Sequence, residues 1–266
     1  MTHSFFSAMT DDNRFPAERA KSILAILHEQ GRVVAGELAV RFSVSEDSIR
    51  RDLRDLASQG LCQRVHGGAV LLAPGYAPFP QRTAHVEHCK ADLAGLTCSL
   101  LVRGQVIFLD AGTTNLAIAH CLPQKVDLTI VTTSPQIAIV ASQRERVKVV
   151  LIGGCFSPST GGVLGAEALA QIQRLRVDVS ILGVCAVDSS KGIWAMNSED
   201  AALKRGIVAA SSRVIVTASS EKLGAQGTYH VATLSEVDDI VVDALAPTFH
   251  LKAFADAGIA VHQLAA

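Results

Sequence analysis

The chain has 266 residues, 49% of them hydrophobic, enough apolar material for two domains of ordinary size and too much for a disordered chain. Its 24 lysines and arginines against 25 acids leave a formal net charge of −1, so any contact with an anionic partner must come from local arrangement. No apolar run approaches the ~18 residues a membrane helix needs, and the first residues lack the regions of a secretory leader, so a cytoplasmic protein without a membrane anchor is expected.

Residues 1–15 read as a frayed tail. From Pro16 the spacing predicts three short helices. The first, "PAERAKSILAILHEQG", places Ile23, Leu24 and Leu27 on one face and stops at Gly31. The second, "VAGELAVRF", has Leu38 and Phe42 four apart. Ser45 then caps a third helix that carries Glu46 and Asp47 in its first turn, where the helix dipole favours negative charge. Ile49, Leu53 and Leu56 form its buried stripe, and Asp52 at the stripe's edge is expected to hold the domain together. At about 100° per residue, Arg51 and Arg54 point away from that stripe and Arg50 flanks them.

"LCQRVH", Gly67-Gly68 and "AVLL" then read as strand, two-residue turn and strand. A helix-turn-helix followed by a hairpin is a winged helix, here over residues 16–71, and it predicts double-stranded DNA as a partner. Arg50, Arg51 and Arg54 would approach the major groove and its phosphates, with Ser45 and Ser48 at the start of the same helix. Arg64 and His66 would reach the backbone from the wing. The competing reading is a small helical cap with solvated arginines. One winged helix offers limited contact area, so a homodimer or homotetramer on paired half-sites is expected.

Three prolines and a glycine in "LAPGYAPFPQRT" mark residues 72–85 as a linker. From residue 86 to 266 seven runs rich in Val and Ile predict strands: "QVIFLD", "LTIVTT", "VKVVLIGG", "VDVSILGV", "RVIVTAS", "DDIVVD" and "IAVHQL". Helical segments such as 115–122, 135–145, 166–175 and 199–211 lie between them. The fold class is therefore α/β: a winged helix-turn-helix followed by a mainly parallel, helix-covered sheet. The six cysteines are scattered without a C-x-x-C pair and read as reduced packing residues. His85, His88 and Cys89 lack a fourth ligand nearby, so neither a metal nor any other cofactor is expected.

Open α/β sheets bind ligands beyond the carboxyl ends of their strands. There the sequence offers Asp110, then Gly112, Thr113 and Thr114 at a helix start, a ready phosphate site, with a simple cap as the lesser alternative. Thr132, Thr133, Gly153, Gly154, Asp188 and Lys222 stand at the ends of further strands, and together predict a polar pocket of sugar-phosphate size. Lys204 and Arg205 either add charge to that pocket or lie on a solvated helix face.

The stretches "SEDSIRRDLRDL", "RVHGGAV", "DAGTT", "GGVLG", "GVCAVD" and "KLG" occur in an order that resembles the DeoR family of bacterial transcription regulators, over nearly the whole chain from about residue 16. The resemblance implies a repressor of a carbohydrate operon, released when a small phosphorylated sugar binds a second domain similar in fold to ribose-5-phosphate isomerase. By position it implies a phosphate loop of Asp110, Gly112, Thr113 and Thr114, with Lys222 nearby. Ser48 stands at the family's usual threonine, Thr133 at an asparagine, Pro135 at a leucine, Asp200 at a glutamate and Ser219 at an aspartate. The alternative is an isomerase-like enzyme carrying an accessory domain, for which Asp110 and Asp188 are the candidate bases.

Overall fold

A computed structural model of the chain describes residues 16–30, 32–58, 61–71, 79, 88–225 and 227–265. The chain divides into two compact units, Met1–Leu72 and Ala73–Ala266. The tail over 1–15 lies outside the described residues, as does all of the linker stretch except Phe79.

In the first unit, helices α1 (Pro16–Gln30), α2 (Ala35–Phe42) and α3 (Glu46–Ser58) pack through Ile23, Leu27, Leu38, Phe42, Ile49, Leu53 and Leu56. Ser43 ends α2 in the left-handed region at φ 53°, and Val44 N–H donates back to Ala39 O at 3.1 Å, closing the turn between the two helices. Asp52 is buried, and Arg19 grips it with two hydrogen bonds of 2.6 and 3.0 Å. That pair fastens α1 to α3 across the core, the role expected of Asp52.

The wing has three strands where the sequence suggests two. Strand β1 (Arg32–Val34) pairs antiparallel with β3 (Gly68–Leu71), which also pairs with β2 (Cys62–Val65). The turn is accordingly His66-Gly67 instead of Gly67-Gly68, with Gly67 at φ 82°. Gly68 belongs to β3, and a Cβ there would lie 2.0 Å from Val33 O. Close approach of β1, and not turn geometry, explains the second glycine.

The second unit is built on a seven-stranded, wholly parallel sheet. Its strands are β4 (Val106–Leu109), β5 (Leu128–Thr132), β6 (Val147–Leu151), β9 (Val179–Gly183), β12 (Val214–Ala218), β14 (Asp239–Val242) and β15 (Ala260–Gln263). They are the seven predicted runs, in the order β15-β14-β12-β9-β4-β5-β6. Helices α4 (His88–Ser99), α5 (Thr113–Cys121) and α6 (Pro135–Ser142) cover one face, meeting Ile107, Leu109, Ile130, Ile181 and Ile215 through Leu93, Ile118 and Ile137. Helices α7 (Ala166–Ile172), α8 (Ser198–Ala209) and α9 (Thr248–Asp256) cover the other, where Ile172, Leu203, Ile207 and Phe254 join Phe108, Leu182 and Val216. Alternate residues of each strand thus feed two apolar cores.

Short antiparallel strands ride on this frame. Strands β7 (Cys155–Ser157) and β8 (Gly162–Leu164) form a hairpin, while β10 (Ala186–Asp188), β11 (Gly192–Ala195) and β13 (Tyr229–Ala232) form a small sheet. Two cysteines differ from expectation, since Cys121 and Cys155 are exposed and do not pack in a core.

The chain lays β4 first, adds β5 and β6 on one side, then crosses back to set β9 on the other side of β4. The crevice between the ends of β4 and β9 is therefore the sheet's switch point, where the loops diverge and leave room for a ligand.

Candidate nucleic-acid interface and effector cleft

On α3 the capping residue Ser45 accepts the Ser48 N–H at 3.2 Å, and the two hydroxyls lie 3.0 Å apart. Arg50, Arg51 and Arg54 are all exposed, but they are not equivalent. Arg50 donates to Glu46 at 2.7 Å and lies 3.6 Å from Asp47, so the acids of the first turn hold it to the helix. No acid among the described residues pairs with Arg51 or Arg54. Those two guanidinium groups present the third helix's uncompensated charge. Arg64 and His66 are exposed on the wing.

In the second unit, the loop after β4 and the loop after β9 border a cleft of about 210 Å³ at the switch point. Gly112, Thr113 and Thr114 line it on the β4 side, and Gly183, Val184 and Cys185 on the β9 side. Helix α5 begins at Thr113, in the cleft wall, with no side-chain cap hydrogen bond at its start. Asn115 fastens this helix start, donating to Asp110 O at 2.8 Å and Ile181 O at 2.9 Å and so tying β4 to β9. Lys222, carried by a single 3-10 turn after β12, reaches the same cleft.

A largely buried ion cluster stands at the cleft, with Asp200 and Lys204 in its lining and Asp110 not exposed to it. Asp110 accepts N–H bonds from Ala111 at 2.8 Å and Gly183 at 3.1 Å, and its carboxylate also binds the Lys204 ammonium. Asp200, one helical turn before Lys204 on α8, lies 3.1 Å from the same ammonium. Burial pulls the Lys204 pKa down, but the two carboxylates outweigh it and hold the amine charged, well above the ordinary lysine range. Asp200, Lys204, Asn197, Met196, Ser159 and Thr160 complete the cleft wall.

Gly112, Thr113, Thr114 and Lys222 therefore stand where the sequence puts them, with Asp110 just below. The others do not. Thr132 and Thr133 are buried at the end of β5, where Thr132 Oγ1 accepts the Ser134 N–H at 3.0 Å, and neither lines the cleft. Gly153 and Gly154 follow β6 on the far side of β5, where Gly153 exchanges hydrogen bonds of 3.1 Å with Gln171.

Asp188 is misplaced for a different reason. The run "SILGVCAVD" is not one strand: β9 stops at Gly183, and Asp188 closes β10 in the small sheet. A Cβ at Gly183 would lie 2.7 Å from Ala111 O, so the two loops touch backbone to backbone where β9 ends. The Asp188 carboxylate accepts from Ser190 N–H and Oγ at 2.8 and 2.7 Å and from Lys191 N–H at 3.0 Å. Burial raises its pKa, yet those bonds bring it below the usual carboxylate range; it is a turn cap.

Sequence reasoning left Lys204 undecided and missed Ser159, Thr160 and Asn197. The four-residue spacing of Asp200 and Lys204 was the available signal. Arg205, its neighbour, points elsewhere and donates to His230 O at 2.6 Å. His85 and the side chains of His88 and Cys89 lie outside what the structure describes.

The chain matches the DeoR-like helix-turn-helix domain over residues 19–74 and the DeoR C terminal sensor domain over residues 85–244. It belongs to the DeoR family of transcriptional regulators. The glycerol-3-phosphate regulon repressor of Escherichia coli is 32% identical over 90% of this chain and 95% of its own length. The HTH-type transcriptional repressor GlcR of Bacillus subtilis is 31% identical over 87% of this chain and 90% of its own. As a DeoR-family member the chain is a DNA-binding regulator with a small-molecule sensor domain and not an enzyme, and the isomerase alternative is not favoured. A solved ribose 5-phosphate isomerase from Methanocaldococcus jannaschii shares 16% identity at a TM-score of 0.38, over 50% of this chain and 53% of that one.

Arg64→Ala is expected to weaken binding to all DNA sequences alike and to flatten the salt dependence by roughly one unit of slope. Affinity titrations at several salt concentrations check this; a change in preferred bases would instead make Arg64 a reader of sequence.

Proposed function

We propose that this chain is a repressor of a carbohydrate operon whose effector is a small phosphorylated sugar or polyol bound in the cleft between β4 and β9. Residues 16–71 bind the operator through Arg51 and Arg54, with Ser45, Ser48, Arg50, Arg64 and His66 in support. Residues 86–266 bind the effector, and the linker between them spans 72–85. The protein acts in the cytoplasm as a homodimer or homotetramer on paired half-sites.

The observation that carries this reading is the mixed lining of the cleft. The start of α5 at Thr113 and Thr114 and the Lys222 side chain offer groups that suit a phosphate. Asp200, Lys204 and Asn197 in the same lining offer the acceptors and donors that hydroxyl groups need. A volume of about 210 Å³ suits a small ligand. The Escherichia coli relative is by name the repressor of a glycerol-3-phosphate regulon, which agrees with a short phosphorylated ligand.

A thermal-shift screen of three- to six-carbon sugar phosphates against their unphosphorylated counterparts tests it. A ligand at a hundred times its Kd should stabilise the native state by about 2.7 kcal/mol. Equal shifts without the phosphate, or none at all, would overturn the assignment. Gly112→Val then locates the site. A Cβ at Gly112 meets only Gly183 Cα, 3.8 Å away, so there is space for a side chain, but Gly112 sits at φ 158°, where an L residue is strained, and circular dichroism must first show a native fold. The variant should bind operator normally while losing a ligand effect of about 5- to 150-fold on DNA affinity. Normal release by the ligand would place the effector elsewhere.

A further inference from the structure

We propose that β6, the open edge of the parallel sheet, is the surface on which a second copy of this chain docks, the two β6 strands pairing antiparallel about a two-fold axis at Val149. The inference rests on the pairing of copies proposed above and gives it a surface; it does not depend on the cleft or its ligand.

Strand β6 ends the sheet, with β5 on one side and no strand on the other among the described residues. None of its five residues, Val147 to Leu151, is fully buried. A parallel strand is ordinarily covered on both faces, and an edge is ordinarily blunted by charges, proline or a bulge. Here a single lysine, Lys148, stands among four apolar residues, with Val150 43% and Leu151 48% exposed. Helix α6, which packs on β6, adds Ile139 at 62%. The opposite edge, β15, offers no such strip: it ends in His262 and Gln263, and His262 is held by Asp239 at 2.8 Å.

The backbone fixes how a partner can add. Leu128 N–H donates to Arg146 O at 3.2 Å and Ile152 N–H donates to Thr132 O at 2.9 Å, so the even-numbered residues of β6 bond inward to β5. Val147, Val149 and Leu151 therefore aim their N–H and C=O groups at the open edge. Val147 N–H turns back to Arg144 O at 3.2 Å, while the Val149 and Leu151 groups have no backbone partner among the described residues.

An antiparallel partner bonds at alternate residues, and these outward positions alternate. Centred on Val149, the strand is its own complement. Val149 meets Val149 of the second copy, and Val147 of each copy meets Leu151 of the other. The charges agree with that register, because Lys148 falls opposite Val150 of the second copy and no like charges face one another. Val147 and Val149 already pack against the core on the α6 face, so the pairing continues that core from one copy into the next. A two-fold contact of this kind closes on itself and leaves no free β6 edge to recruit a third chain.

Full-length protein without DNA is followed by sedimentation velocity and amide hydrogen exchange over a wide range of concentration. The expected result is reversible association in which the Val149 and Leu151 amides gain protection as the complex forms. Two variants at one exposed position then read the register. Val150→Lys sets a lysine against Lys148 of the second copy at both symmetric places and should weaken association about ten-fold, whereas Val150→Glu sets opposite charges there and should hold it within about three-fold. Equal losses in the two variants would overturn the proposal. Association with the Val149 and Leu151 amides unprotected overturns this inference alone, and a monomer at every concentration overturns the pairing of copies with it. Protection already complete in the monomer would show the edge covered by the chain's own residues, which also overturns it.

Discussion

Replacing Lys204 by methionine is expected to cost about 3–5 kcal/mol of unfolding free energy at neutral pH, the usual result of leaving a buried charge without its partner. The methionine fills much of the same volume, so the loss is electrostatic. Asp110 and Asp200 are then left without the ammonium between them, and among the described contacts only the Ala111 and Gly183 amides support Asp110. Burial already raises the Asp110 pKa, and Lys204 is the group that most opposes it. Removing the amine therefore lifts the folded-state pKa further above its unfolded value. A group raised in this way contributes stability that is present at low pH and lost as the pH rises. The deficit of the variant should be small near pH ~4 and grow toward neutrality. Denaturant titrations of both proteins at several pH values measure this; a deficit below about 1 kcal/mol at neutral pH would show that the cluster is solvated.

The double variant Arg51→Ala, Arg54→Ala is expected to abolish specific operator binding. Each lost base contact is worth about 1–3 kcal/mol, so the pair removes roughly 2–6 kcal/mol, or about one to four decades of affinity. The fold should be untouched, because α3 packs through Ile49, Leu53 and Leu56 and is anchored by the Arg19–Asp52 pair at the edge of that stripe. Arg50→Ala is the informative control. Glu46 and Asp47 already neutralise that guanidinium, so its removal should cost less than either of the others. Mobility-shift titrations together with circular dichroism decide it. A natively folded double variant with unchanged affinity would move the interface off α3.

The parallel sheet was legible in the sequence because each strand is buried on both faces, which forces an unbroken Val- and Ile-rich run bounded by polar or glycine breakers. What those runs cannot encode is neighbour order, and the cleft depends on neighbour order. The "DAGTT" turn is local and was readable. Ser159, Thr160 and Asn197 reach the same cleft only because the chain crosses the sheet between β6 and β9. Thr132, Thr133, Gly153 and Gly154 failed for the same reason, being polar strand ends on the side of β4 away from the switch point. Three-residue strands are too short to show a period of two, so β1 was invisible and Gly68 was read as a turn residue. Lys204 was ambiguous because a lysine beside an arginine on a helix looks solvated. Only the carboxylates of Asp110 and Asp200 make its burial tolerable.

The separation of the cleft's parts along the chain also sets an order of maturation during synthesis. Helix α3 and the wing close on their own core by Leu71, whereas the cleft joins Gly112 to Gly183 and is complete only when Lys222 has been made. Translation at about 5–20 residues per second places roughly 8–30 seconds between those two events. On the proposed reading, a ribosome-bound chain in that interval carries the DNA-reading unit before its effector cleft is complete. A cell starting to make such a regulator would then meet an effector-blind species first, in proportion to how slowly the second half of the message is read.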